Sequence, residues 1–90
     1  MTSWFQRQQI SRINFKLELL RSELDLSVIE LDEHESTYDE QHLNAIVSES
    51  EHEKFNSAQT AHHVVALRKA VAKIDSKIDK LETKRKNLLG

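Results

Sequence analysis

The stretch Ile10–Leu31, ISRINFKLELLRSELDLSVIEL, decides the fold. Its residues Ile10, Ile13, Leu17, Leu20, Leu24, Ser27 and Leu31 recur at alternating steps of three and four. That is the rhythm of heptad a and d positions, the inner seam of one helix packed on another. Phe15, Leu19, Leu26, Val28 and Ile29 fall outside the seam. The apolar face is thus wider than a two-stranded coil requires, which predicts contact with more than one neighbour.

A second series closes the chain. Val64, Leu67, Val71, Ile74, Ile78, Leu81, Arg85 and Leu88 keep the same rhythm, and after Val65 the off-seam positions up to Leu88 are polar or alanine. Punctuation that would interrupt long helices is missing. The 90 residues contain no proline, and the single glycine is Gly90. Those two residues are the usual means of turning sharply or ending an element. The expected class is all-α: a long antiparallel helical hairpin or coiled coil in one domain, with a short third helix in the middle as a variant, and oligomeric.

Between the two seams the reading is less regular. Thr2 or Ser3 is placed to cap the first helix, expected over about residues 3–34. Thr37 stands three residues before Glu40, the spacing of a capping box, so Ser36-Thr37 is the best break in the chain. Asn56 and Ser57 offer a second cap, and Ser48–Glu53 is acidic with weak helical commitment. These signals predict an acidic middle segment over 35–56 and a C-terminal helix over about 57–89. Matching the apolar layers favours an antiparallel pairing in which residue i faces 98 − i. Ile10 then meets Leu88, Leu17 meets Leu81, and Leu24 meets Ile74, while Ile13 with Arg85 and Ser27 with Val71 are imperfect. Arg21 with Asp75 and Glu23 with Lys77 would flank the seam. A hairpin folded at Ser36-Thr37 matches worse, setting Leu24 against Ser50. In the favoured register residues 32–66 form an acidic head on the stalk.

Charge is sorted along the chain behind a net value of −2. Residues 30–53 hold nine acids (Glu30, Asp32, Glu33, Glu35, Asp39, Glu40, Glu49, Glu51, Glu53) and one base, Lys54, only follows them. Residues 68–86 hold eight bases against three acids. Such sorting predicts attraction between helix faces of opposite sign, with the acidic segment as a surface for encounter. The basic run has interleaved acids and no aromatic partner for base stacking, so nucleic acid is not the expected ligand. Charged residues at 31% fit wide solvated faces.

Chemistry has little to work with here. There is no cysteine, hence no thiolate chemistry or disulfide, and the default address is cytoplasmic. The five histidines, His34, His42, His52, His62 and His63, include no pair at i, i+3 or i, i+4, so no metal site or cofactor is expected. Paired carboxylates abound, but acid–base work needs a partly dry pocket, which nothing in the pattern predicts. The N-terminal WFQRQQ, residues 4–9, reads as neither a signal nor a membrane span.

The expected function is therefore a non-enzymatic helical interaction protein: an adaptor, chaperone or assembly subunit of a larger complex. Trp4, Phe5, Phe15, Leu19 and Leu26 are the candidate residues for a protein partner. The alternative is a regulator whose acidic head (Asp32, Glu33, Glu35, Asp39 and Glu40) enters a basic channel of a nucleic-acid enzyme.

Overall fold

The computed structural model describes residues 3–48 and 51–90. Two helices account for nearly all of them: α1, Trp4–Ser48, and α2, Glu51–Leu89, packed antiparallel as a hairpin about 68 Å long and 15 Å wide. No strand occurs among the described residues. Forty-five residues at about 1.5 Å each span the full length of the rod, so α1 runs from one end to the other.

The start of α1 is a reciprocal cap. Ser3 Oγ accepts the amide of Gln6 at 3.1 Å, and Gln6 Oε1 accepts the amide of Ser3 at 2.9 Å. Two amides that the helix itself leaves unpaired are satisfied at once. Of the two expected caps Ser3 therefore serves; Thr2 lies outside the described residues.

The expected break at Ser36-Thr37 is absent. Thr37 stays inside α1 and its hydroxyl donates to the Glu33 carbonyl four residues back at 3.0 Å. A hydroxyl that can cap a new helix can equally bond back within a continuing one. Packing decides between them, because the heptad seam does not stop at Leu31. It continues through His34, Tyr38, Gln41 and Ala45, all at least half-buried. The second expected bend is absent for the same reason. Asn56 and Ser57 lie inside α2, Ser57 is buried in the seam, and Asn56 Nδ2 contacts His52 Nε2 at 3.3 Å. The acidic middle segment is thus no separate head or third helix but the far half of the same hairpin. Of the weakly committed Ser48–Glu53 stretch, Glu49 and Ser50 lie outside the described residues. Its ends meet, with Ser48 Oγ donating to the Glu53 carboxylate.

Register follows from contacts between the helices. His34 lies beside His63, Arg85 donates to Asn14 at 2.9 Å, Thr60 to Gln41 at 2.5 Å, Arg21 to Glu82 at 2.7 Å and Arg68 to Glu35 at 3.3 Å. The numbers of these pairs add to 97, 99, 101, 103 and 103, all within a turn or so of the expected 98 and far from the 74 of a fold at Ser36-Thr37. One expected flank pair is replaced: Arg21 bonds Glu82 rather than Asp75. At the imperfect layer, half-buried Arg85 keeps its stem in the seam and turns its guanidinium out to Asn14.

The core is lopsided. Ile13, Leu17, Ile74 and Ile78 are buried together, with Leu20, Leu24, Leu81 and Leu88 packed against them. All eight lie in the half of the rod that holds the chain ends. Towards the reversal the seam carries Gln41, Ala45, Ser57 and Thr60, small or polar side chains that remove far less apolar surface from water. One half of the hairpin is a packed stalk and the other a thinly packed extension.

Candidate functional face of the first helix

Helical residues advance about 100° around the axis. With Ile10, Leu17 and Leu24 at a, and Ile13 and Leu20 at d, positions c and f come out on the opposite side of α1 from α2. Phe15, Leu19, Leu26 and Ile29 occupy f, c, c and f, and they are 63%, 56%, 70% and 56% exposed. Their spacing of four, seven and three, with Ser22 filling the gap, is itself a heptad seam. α1 is therefore two-faced. One seam is closed by α2, and a second stripe, about 21 Å long by helix rise, faces away from it with no covering element among the described residues.

This placement explains the excess apolar content seen in the sequence. Of the residues available in the middle segment for covering the stripe, Tyr38 is held in the α2-facing seam, and Leu43, Ile46, Val47 and Phe55 do not reach it. Of these last four, the first three belong to α1 itself, near its far end, and all are exposed. A helix cannot fold back on its own outer face.

The structure brings Phe15, Leu19 and Leu26 together in one stripe but leaves Trp4 and Phe5 apart from it. Those two rings meet edge-on, centroids 5.7 Å apart, at the first turn of α1 and are exposed. Gln8 and Arg12 separate Phe5 from Phe15 along the same columns. Ile29 belongs to the stripe and was not among the expected site residues. Its three-residue step from Leu26 is the signal that identifies it. Leu43 and Val47 resume the c and f columns near Ser48, after Glu33, Ser36 and Glu40 have interrupted them.

Around the stripe the charges are ordered. Position b on one flank is held by Glu18, Asp25, Asp32 and Asp39, seven residues apart, all exposed. Position g on the other flank holds Lys16, Glu23 and Glu30. There a shallow groove between the helices is floored by Leu19, Leu20 and Leu81 and edged by Lys16, Glu23, Lys77 and Lys80. The carboxylates of Glu18, Asp25, Asp32 and Asp39 make no ion pair with any described residue.

The acidic residues expected to form a head lie along the shaft. Asp32, Glu33, Glu35, Asp39 and Glu40 sit about 12–24 Å before the end of α1 at Ser48, by helix rise. Glu35 turns towards α2 and pairs with Arg68 at 3.3 Å. The other four are exposed on the back and sides of α1, beside and beyond the apolar stripe.

The histidines divide in the same way. His34 and His63, distant in sequence, stand across the seam with rings 5.9 Å apart, and His34 Nδ1 contacts the Glu30 carbonyl at 2.9 Å. His42 stacks on Tyr38, centroids 5.4 Å apart. No three potential metal ligands converge among the described residues. No helix among them is long and apolar enough to cross a membrane. No protein-family model matches the chain, and no curated protein or solved structure is significantly similar to it.

Proposed function

We propose that this protein is a non-enzymatic helical interaction subunit: an adaptor, chaperone or assembly component of a larger complex in the cytoplasm. It docks a helix of a protein partner against the outward stripe of α1. The observation that carries the reading is the exposure of Phe15, Leu19, Leu26 and Ile29 in heptad order on the side away from α2. Scattered exposed apolar residues need no explanation, but a contiguous row of large ones on a soluble surface marks a binding face. The spacing supports a helix as the occupant, since a second 3–4 seam is what a partner helix's side chains would interdigitate with. Trp4 and Phe5 add an aromatic anchor at the open end of the hairpin.

A rod also suits this role mechanically. The hairpin between Ile10–Leu31 and Leu67–Leu88 closes its own seam and leaves the other side of α1 free, so docking completes a bundle without unfolding anything. The acids along the shaft set orientation and encounter rate rather than forming a probe at the tip.

The test is the double substitution Phe15→Ser, Leu19→Ser. Far-ultraviolet circular dichroism should show helicity close to the parent's, while pull-down of cellular partners by the tagged protein is lost. Unfolding of the variant would make the stripe ordinary core. Retained binding, combined with loss on neutralising Asp32, Glu33, Asp39 and Glu40, would replace this reading by the acidic-regulator one.

A further inference from the structure

The outward stripe of α1 is flanked unequally, and the inequality says what kind of helix fits it. From the stripe placement and its charges we infer that the occupant is a helix of another protein, not a second copy of this chain. That helix carries an apolar 3–4 seam and a column of Lys or Arg along one flank, facing Glu18, Asp25, Asp32 and Asp39. This rests on the proposed docking face and adds the chemistry of its partner.

Self-pairing sets like charges together on the b flank. Two copies joined antiparallel through this stripe are related by a two-fold axis perpendicular to the helices, which sets each flank against the same flank of the other copy. The b column is acidic over four heptads. Sliding the register changes only which acids meet: Glu18 with Asp25, Glu18 with Asp32, Asp25 with Asp25, or Asp25 with Asp39. Every register that lays the stripe on itself therefore opposes carboxylates, a destabilising arrangement at the flanks of a helix pair. A parallel pair sets b against g instead. It brings Glu18 to Glu23 and Asp25 to Glu30 of the other copy, again like with like. On its b flank the stripe is complementary to itself in shape and not in charge, and the attraction an antiparallel pair gains on the g flank is confined to Lys16 with Glu23 or Glu30.

Within the chain the acids also lack an answer. The lysine ridge of α2, Lys73, Lys77, Lys80 and Lys84, occupies that helix's g and c positions and borders the other flank of the stripe. The described basic groups that do pair across the hairpin, Arg21 and Arg68, serve Glu82 and Glu35. A foreign helix with a basic column on one side would meet carboxylates there, while its seam covers Phe15, Leu19, Leu26 and Ile29. Because the opposite flank mixes Lys16 with Glu23 and Glu30, one basic column is called for, not two. Charged flanks of this kind select the partner and its direction more than they add to affinity.

Four fluorescein-labelled helical peptides of about three heptads test this against the full-length protein by fluorescence anisotropy. All share their length. Three have Leu and Ile at the seam and differ in one flank column, Lys, Gln or Glu; the fourth has the Lys column with Ser and Gln at the seam. The expected order is Lys tightest, Gln weaker, Glu at least about tenfold weaker than Lys, and the fourth not binding. Raising salt from about 0.05 to 0.5 M should narrow the gap between Lys and Glu. Asp25→Asn, Asp32→Asn should narrow it too, without loss of the Gln peptide. Sedimentation of the protein alone should show a monomer over the same concentrations.

Equal binding of the Lys and Glu peptides, or a dimer that the Phe15→Ser, Leu19→Ser variant abolishes, overturns the partner chemistry and leaves the docking face standing. Undiminished binding of the Lys peptide by that helical variant, or binding of the fourth peptide as tightly as the first, overturns the docking face itself.

Discussion

The same substitution placed on the two faces of α1 tests the structure most directly. Leu17 and Leu26 lie nine residues apart in one helix, far from either end, and share one intrinsic helix propensity. Leu17 is wholly buried against the Ile74 and Ile78 cluster, whereas Leu26 is 70% exposed. Leu17→Ala loses the transfer free energy of the removed carbons and leaves a cavity, together about 3 kcal/mol within the usual 2–5. A stability of roughly 0.05–0.15 kcal/mol per residue makes that a large share of the total for a chain this short. In a domain of this size about 3 kcal/mol lowers the melting temperature by roughly 12–24 °C. Leu26→Ala removes surface that is already mostly in water, and alanine is the better helix former. Its effect should stay within about 0.5 kcal/mol. The assay is thermal and urea unfolding followed by circular dichroism, run at two protein concentrations about tenfold apart. Equal losses for the two variants at both concentrations would refute the assignment of faces. A loss for Leu26→Ala that grows with protein concentration would show the stripe covered by a second copy, against the partner chemistry inferred above.

Two further outcomes follow from the same geometry. Arg21→Ala should cost no more than about 1 kcal/mol in chemical unfolding, and the cost should shrink in high salt, because both members of the Arg21–Glu82 pair stay about half exposed; a larger, salt-independent cost would mean the pair is buried in a way the hairpin does not provide. Amide hydrogen exchange should run faster over residues 38–48 and 51–60 than between Leu17 and Leu24 or Ile74 and Leu81, since opening the end of the rod near the reversal exposes mainly Gln41, Ala45, Ser57 and Thr60 from the seam; uniform protection along the rod would show that the two halves unfold as one unit.

Much of the architecture was legible in the residues. Ile10 to Leu31 and Val64 to Leu88 carry a heptad rhythm that only long helices satisfy, and the lack of internal glycine and proline leaves nothing to interrupt it. Apolar layer matching also located the register, because it sets Leu17 and Leu24 opposite Leu81 and Ile74, whereas a fold at Ser36-Thr37 sets Leu24 against Ser50. The candidate stripe was partly legible: Phe15, Leu19, Leu26, Val28 and Ile29 all stand out as excess in the sequence, but only the helix's orientation separates Ile29, in the stripe, from Val28, beside the seam.

Where the chain reverses was not legible. Ser36-Thr37 and Asn56-Ser57 carry caps that are locally as good as the Ser3 cap in use, and local hydrogen-bonding capacity alone cannot separate a helix start from a helix interior. The tertiary structure chose, by continuing the seam through His34, Tyr38, Gln41 and Ala45 opposite α2, so that breaking the helix would forfeit contact along half the rod. The same choice moved the acids of 32–40 from a supposed head onto the shaft, and brought His34 to His63 across 29 residues of chain. Composition and period determined that the chain is a helical hairpin and in which register. Only the packing of one rod on the other decided that each helix runs unbroken, and so which apolar side chains α2 covers and which α1 leaves on its outer face.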